Sequence, residues 1–280
     1  MGKTMNKITK ILTGTALAMA LATGGALAAG GETKPAKDID FSFEGMFGKF
    51  DRGQLQRGFL VYKEVCAACH SLRLVSFRNL SQPGGPGFSE DQVKAIAAGY
   101  EVTDGPNAEG EMFQRPGIPA DRIPSPFPNA EAAKAANGGA YPPDLSLVTK
   151  SREGWHFPWY VSPFIKLVKG GGGPEYVYSL VSGYGEAPHG EEQEGLHYNP
   201  YFPNGWLAMA APLNEDAVEY GDGTKATVDQ MARDVTAFLA WASEPKMEER
   251  KRIGFMVMIY LGVLSVLMYL VKKAIWRDQH

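Results

Sequence analysis

The sequence predicts a mainly α-helical protein with long irregular loops and one C-terminal transmembrane helix. Three observations predict it: an uncharged apolar run near the C-terminus, two amphipathic stretches at helical spacing (residues 51–70 and 227–242), and a remainder punctuated by much of the chain's 33 Gly and 19 Pro. At 280 residues the chain suits one large domain with appendages at its ends.

The N-terminal appendage reads as a secretory signal. Lys3, Lys7 and Lys10 precede the apolar run "ILTGTALAMALATGGALA", which closes on the small-x-small site Ala26-Leu27-Ala28, so residues 1–28 are expected to be a cleaved signal peptide. The C-terminal appendage differs in kind. "IGFMVMIYLGVLSVLMYLV" (residues 253–271) is apolar all round and, at about 1.5 Å per residue, matches the hydrocarbon thickness of a bilayer. Arg250, Lys251 and Arg252 precede it and Lys272, Lys273 and Arg277 follow it, so the basic flanks alone do not orient it. The signal peptide orients it instead. Residues 29–249 are expected on the exported, periplasmic side of a bacterial inner membrane, residues 250–271 form the anchor with its basic flank, and residues 272–280 form a cytoplasmic tail.

The first amphipathic stretch, "DRGQLQRGFLVYKEVCAACH" (residues 51–70), sets Leu55, Phe59, Tyr62 and Val65 at helical spacing and ends on the chain's only two cysteines. On a continuing helix Cys66, Cys69 and His70 would share a face. That is the arrangement for attaching a haem: two thioethers to the porphyrin and an imidazole to the iron, the C-x-x-C-H pattern of c-type cytochromes. Structural zinc would need four ligands, and no second Cys pair exists. A thioredoxin-like redox pair would need a βαβ context, which is missing here. Export agrees with one covalently bound haem c, because bacteria attach it outside the cytoplasmic membrane.

The residue on the other face of the iron decides the chemistry. An open position admits ligands, whereas a Met thioether closes the site and raises the potential, as electron transfer requires. The exported region offers Met46, Met112, Met209, Met231 and Met247, and His156, His189 and His197. Met209 is best placed, in the Pro- and Gly-punctuated "NPYFPNGWLAMAAPL" (residues 199–213). Met231 lies in the second amphipathic stretch, "TVDQMARDVTAFLAWA", where a core role with Val235, Phe238, Leu239 and Trp241 fits better.

Charge is unevenly distributed. Residues 29–249 carry 19 Lys and Arg against 30 Asp and Glu, a net charge of −11 that the whole-chain value of −3 conceals. The clusters "EVTDGPNAEGE" (residues 101–111) and "GEAPHGEEQE" (residues 185–194) read as acidic loops that could steer a basic partner, and the sign disfavours nucleic acid.

Together with the haem motif, the segments "DGPNAEGEMFQRPG" (residues 104–117), "FPNAEAAKAANGGAYPPDLS" (residues 127–146), "EYVYSLVSGY" (residues 175–184), "YFPNGWLAMAAPL" (residues 201–213) and "ARDVTAFLAWASEP" (residues 232–245) resemble the cytochrome c1 family, in that family's order, from about Asp51 to the C-terminal tail. The resemblance implies a cytochrome c-like haem domain with Cys66 and Cys69 bound covalently to haem and His70 and Met209 as axial ligands. It also implies a haem pocket lined by the segment Asn137 to Leu145, with Pro142 and Pro143, and Arg152 facing a propionate. The implied work is one-electron transfer from the Rieske iron–sulfur protein to a soluble basic cytochrome c, without an independent catalytic site. The setting would be a dimeric quinol:cytochrome c oxidoreductase containing cytochrome b and embedded in membrane lipid.

Two departures from the family pattern stand out. Ala210 and Ala211 precede a single Pro212 where the family often has two prolines after the Met, and residues 155–173 look like an insertion ending in four glycines. Two other readings remain open on the residues alone: an anchored monohaem cytochrome of another assembly, and a haem enzyme or gas sensor with an exchangeable sixth ligand.

Overall fold

The computed structural model describes residues 33–155, 160–161, 170–188 and 192–277. The expected signal peptide, most of the 155–173 insertion, His156, His189 and Glu191 lie outside them. The described architecture is mainly helical, as the sequence predicts. In chain order the helices are α1 (Arg52–Glu64), α2 (Glu90–Ala98), α3 (Ala130–Ala136), α4 (Val148–Ser151), α5 (Gly173–Val181), α6 (Val228–Ser243) and α7 (Met247–Trp276), with 3-10 turns at Cys66–Ala68, Phe77–Ser81 and Pro203–Gly205.

Local chemistry sets where these helices start. The Asp51 carboxylate accepts from the Gln54 N–H at 2.8 Å to cap α1, and Thr227 Oγ1 accepts from the Gln230 N–H at 3.1 Å to cap α6. Ser89 and Gln92 cap α2 reciprocally, each side chain accepting from the other's backbone N–H. These bonds satisfy amides that the helix itself cannot reach.

The core is the crossing of α1 and α6. Phe238 of α6 meets Phe59 and Tyr62 of α1 at ring-centroid distances of 5.6 and 5.8 Å, and Trp241 continues the stack at 5.5 Å. Every residue from 234 to 243 is buried, so α6 is the central helix, and Met231 belongs to this core as its periodicity predicts. Gly58 lets the helices touch: a Cβ there would lie 2.7 Å from Phe238 Cβ and overlap the Asp234 carbonyl oxygen. At the same crossing, the neighbouring Arg57 donates from Nε to Asp234 at 2.9 Å and from Nη1 to Asp222 at 2.7 Å. Asp234 is fully buried and also accepts from Gln230 Nε2 at 2.9 Å, so the ion pair has its hydrogen bonds satisfied.

Two small antiparallel pairs complete the head. β1 (Glu101–Asp104) pairs with β2 (Phe113–Pro116) in the register Glu101↔Pro116, and β3 (His197–Tyr198) pairs with β4 (Trp206–Leu207). The acidic stretch 101–111 is therefore half strand and half hairpin loop rather than loop throughout. Arg115 holds it, reaching Asp104 and, at 2.7 Å, Asp121.

Helix α7 begins at Met247, three residues before the expected anchor boundary, and runs 30 residues, about 45 Å. It is long and apolar enough to cross a membrane, and its apolar window is not buried against the head. Its first turns are tied down. Arg52 and the Phe50 N–H both donate to Glu248, at 2.8 and 2.9 Å, and Lys251 Nζ donates to the Phe43 carbonyl at 2.6 Å. Beneath them Phe41, Phe43 and Phe50 stack with centroids 5.1 and 4.9 Å apart.

Candidate functional site

The site grows from the C-terminal end of α1. The helix stops at Glu64, and Cys66–Ala68 form a 3-10 turn rather than the continuing α-helix that the spacing predicts. The Cys66 carbonyl accepts from both the Cys69 and His70 N–H groups, at 3.1 and 2.8 Å, so one oxygen closes the motif into a compact loop. Cys66 is partly covered and Cys69 is exposed, and both are free thiols. Burial, with a smaller push from Cys69, raises the Cys66 thiol to about 12, so it is held as a neutral thiol rather than as a reactive thiolate.

A second segment fixes the imidazole. His70 Nδ1 is 2.8 Å from the Pro143 carbonyl oxygen and donates to it as the neutral Nδ1–H tautomer, which leaves Nε2 as the nitrogen available to a metal. Burial lowers the His70 pKa; the Pro143 carbonyl and Asp144 oppose the shift without reversing it, and the neutral ring is the form that ligates.

Asp144 holds Pro143 in place. Its carboxylate accepts from Ser71 Oγ at 2.8 Å, the Arg73 N–H at 3.0 Å and the Ser146 N–H at 2.9 Å, while the Leu145 N–H donates to the Ser71 carbonyl and the Leu74 N–H to Ser146 Oγ. Burial alone would raise this carboxyl. The donors from Ser146, Arg73 and Ser71 outweigh it and hold Asp144 below the usual carboxylate range. Segments 70–74 and 143–146, far apart in the chain, are thus stitched into one wall.

The other expected residues fall into three groups. Met209 is half-buried just after β4, and its carbonyl accepts from Tyr184 Oη at 2.9 Å. Arg152 is exposed at the end of α4, close enough to lower the Tyr176 hydroxyl's pKa against the larger upward push of burial. Asn137 caps the C-terminus of α3, donating from Nδ2 to the Ala133 carbonyl at 2.7 Å, and Pro142 is half-buried beside Pro143. The sequence placed Asp144 in the pocket-lining segment Asn137 to Leu145 without a role of its own, and it assigned none to Tyr184.

The donor set fits a c-type haem. Two free thiols flank a neutral imidazole whose Nδ1 is already engaged. Leu74, Tyr141 and Leu147, in or beside the stitched segments, leave 44, 55 and 47 % of their surface exposed, apolar area that a macrocycle could cover. Among the described residues no group of three or more His, Cys, Asp and Glu could hold a metal ion by itself.

Comparison with known proteins agrees. The model of the Cytochrome C1 family matches residues 41–279. The chain belongs to the cytochrome c1 family. It is 45% identical over 280 residues to cytochrome c1 of Rhodospirillum rubrum, covering 94% of this chain and 95% of that one. It is 49% identical over 229 residues to "Cytochrome c1 2, heme protein, mitochondrial" of Arabidopsis thaliana, covering 81% and 68%. It is also 50% identical over 276 residues to "Cytochrome b/c1" of Bradyrhizobium diazoefficiens, covering 94% of this chain and 40% of that longer protein. Cytochrome c1 is the haem subunit of the bc1 complex and works in electron transport; the mainly helical head and the single long apolar helix are those expected of a member.

Proposed function

We propose that this chain carries one electron at a time from the Rieske iron–sulfur protein to a soluble basic cytochrome c, within a dimeric complex that also contains cytochrome b. In this reading Cys66 and Cys69 hold one haem c covalently, and His70 and Met209 are the axial ligands. Residues 1–28 are removed, residues 29–249 work in the bacterial periplasm, residues 250–271 anchor the head in lipid, and residues 272–280 remain in the cytoplasm. The observation that carries the proposal is the His70 imidazole, held neutral with Nδ1 donated to the Pro143 carbonyl at 2.8 Å beside two free thiols.

The haem supplies a one-electron iron couple. The chain supplies the conditions around it. The Pro143 carbonyl orients the imidazole and makes it more basic, and Asp144 keeps that carbonyl from drifting. The Met209 thioether would serve as the iron's second protein ligand, which would favour electron transfer over the binding of small ligands. Arg152, exposed beside Tyr176, presents a guanidinium suited to a propionate, while Asn137 acts through the fold of the 137–143 loop by capping α3. Exposed acidic residues, Glu101, Glu109 and Glu111 on the β1–β2 hairpin and Glu186, Glu192 and Glu194 on the later loop, steer a basic acceptor.

Purification in mild detergent followed by stopped-flow mixing with quinol tests this. The expected result is co-purification with cytochrome b and an iron–sulfur protein, and haem reduction that disappears when the iron–sulfur protein is removed. A protein that purifies without these partners, or whose haem is reduced equally fast without the iron–sulfur protein, would overturn it.

A further inference from the structure

Met209 sits in a stretch that the fold barely holds. The β3–β4 pairing ends at Leu207, and the next buried residue is Leu213. Between them Ala208, Ala210 and Ala211 are exposed and too small to pack deeply. Among the described residues, no backbone–backbone hydrogen bond outside the ladders involves residues 208–213. Among the described residues one hydrogen bond from a side chain reaches the stretch, the Tyr184 hydroxyl donating to the Met209 carbonyl at 2.9 Å.

The donor is itself well anchored. Tyr184 follows α5 by three residues, and the same wall receives the start of the Met209-bearing segment: Asn199, fully buried, donates from Nδ2 to the Leu180 carbonyl at 2.7 Å. The segment is thus pinned to the end of α5 at its base by Asn199 and at Met209 by Tyr184.

We infer that Tyr184 is the positioning residue for Met209: its hydrogen bond to the Met209 carbonyl holds the thioether over the haem position and sets how firmly the sixth ligand is kept. The inference rests on Met209 being the axial ligand. A loop of alanines without a ladder has many conformers, and one short bond at the ligand's own backbone removes the most damaging of them. Tyr184 acts through Met209 and touches no reacting atom.

The test is Tyr184→Phe in the full chain, purified in its complex, with Tyr201→Phe as control. Tyr201 lies on the same wall, and among the described residues its hydroxyl makes no hydrogen bond. Three readouts apply: the sulfur-to-iron charge-transfer band of the oxidised protein, the midpoint potential, and the fraction of reduced protein that combines with carbon monoxide. Loss of one hydrogen bond predicts a roughly threefold to tenfold larger Met-dissociated population in Tyr184→Phe. The charge-transfer band weakens, the potential falls and carbon monoxide binding rises to match, with none of these in Tyr201→Phe. If the unsubstituted protein lacks the charge-transfer band, Met209 is not the ligand and the reading beneath the inference fails. If that band is present and Tyr184→Phe matches the unsubstituted protein in all three readouts, the inference itself is overturned.

Discussion

Replacing Gly58 by alanine should destabilise the head, although alanine is the better helix former. The new Cβ would stand 2.7 Å from Phe238 Cβ and overlap the Asp234 carbonyl oxygen, where ordinary carbon contacts are about 3.5–4.0 Å. Helices α1 and α6 must then part by about 1 Å at their crossing. Forcing a methyl into a packed core costs about 1–3 kcal/mol, and backbone contact places this case at the upper end. Helix propensity returns about 1 kcal/mol. The net is a loss of roughly 1–2 kcal/mol, a fall in Tm of about 2–8 °C for a head of this size. Gly53→Ala, on the same helix, meets only Asp51 Oδ1 at 3.4 Å and Arg57 Nη1 at 3.6 Å, so propensity acts unopposed and stability should rise by up to about 1 kcal/mol. Thermal melts of the two variants in the same detergent, followed by circular dichroism and haem absorbance, compare them directly. A Gly58→Ala protein as stable as Gly53→Ala would refute the close-crossing argument.

Asp234→Ala should be far more costly, about 3–5 kcal/mol, because it leaves the Arg57 guanidinium without its buried partner; denaturant melts measure it, and a loss under 1 kcal/mol would show the pair to be hydrated. Glu44 is pushed up to about 8, first by burial and then by its hydrogen bond to the buried Glu175, whereas the unfolded chain releases that proton near 4.5. The folded protein binds more protons between those values, so stability should fall as pH rises through that window. At about 1.4 kcal/mol per unit, reduced for a half-exposed group, the loss is roughly 2 kcal/mol. Glu44→Gln should flatten this dependence and raise the Tm at pH 8; an unchanged pH profile would remove Glu44 as its source. For the acceptor, neutralising Glu191, Glu192 and Glu194 together should weaken the salt dependence of cytochrome c reduction, and an unchanged slope would shift the docking face to the β1–β2 hairpin.

Much of this was legible in the sequence because the signals are local. Helices α1 and α6 declare themselves by apolar spacing, α7 by an unbroken apolar run, and the attachment motif by the only two thiols in the chain. The misses have physical causes. The β1–β2 hairpin has an Arg115 ion-pair clamp and strands of four residues with little burial, so the alternation of β1 is too short and β2 too exposed to mark a strand in the sequence. The 3-10 turn at Cys66–Ala68 follows from both following amides converging on the Cys66 carbonyl, a choice that spacing does not reveal. Asp144 and Tyr184 gain their roles from partners 71 to 73 and 25 residues away, and a local pattern carries no information about such pairings.

The most direct test of the account is the absorption spectrum of the reduced, detergent-purified complex with and without carbon monoxide. An electron carrier closed by His70 and Met209 should give the same spectrum in both. Conversion of the intact protein to a carbonyl complex would contradict the closed site and with it the electron-carrier reading.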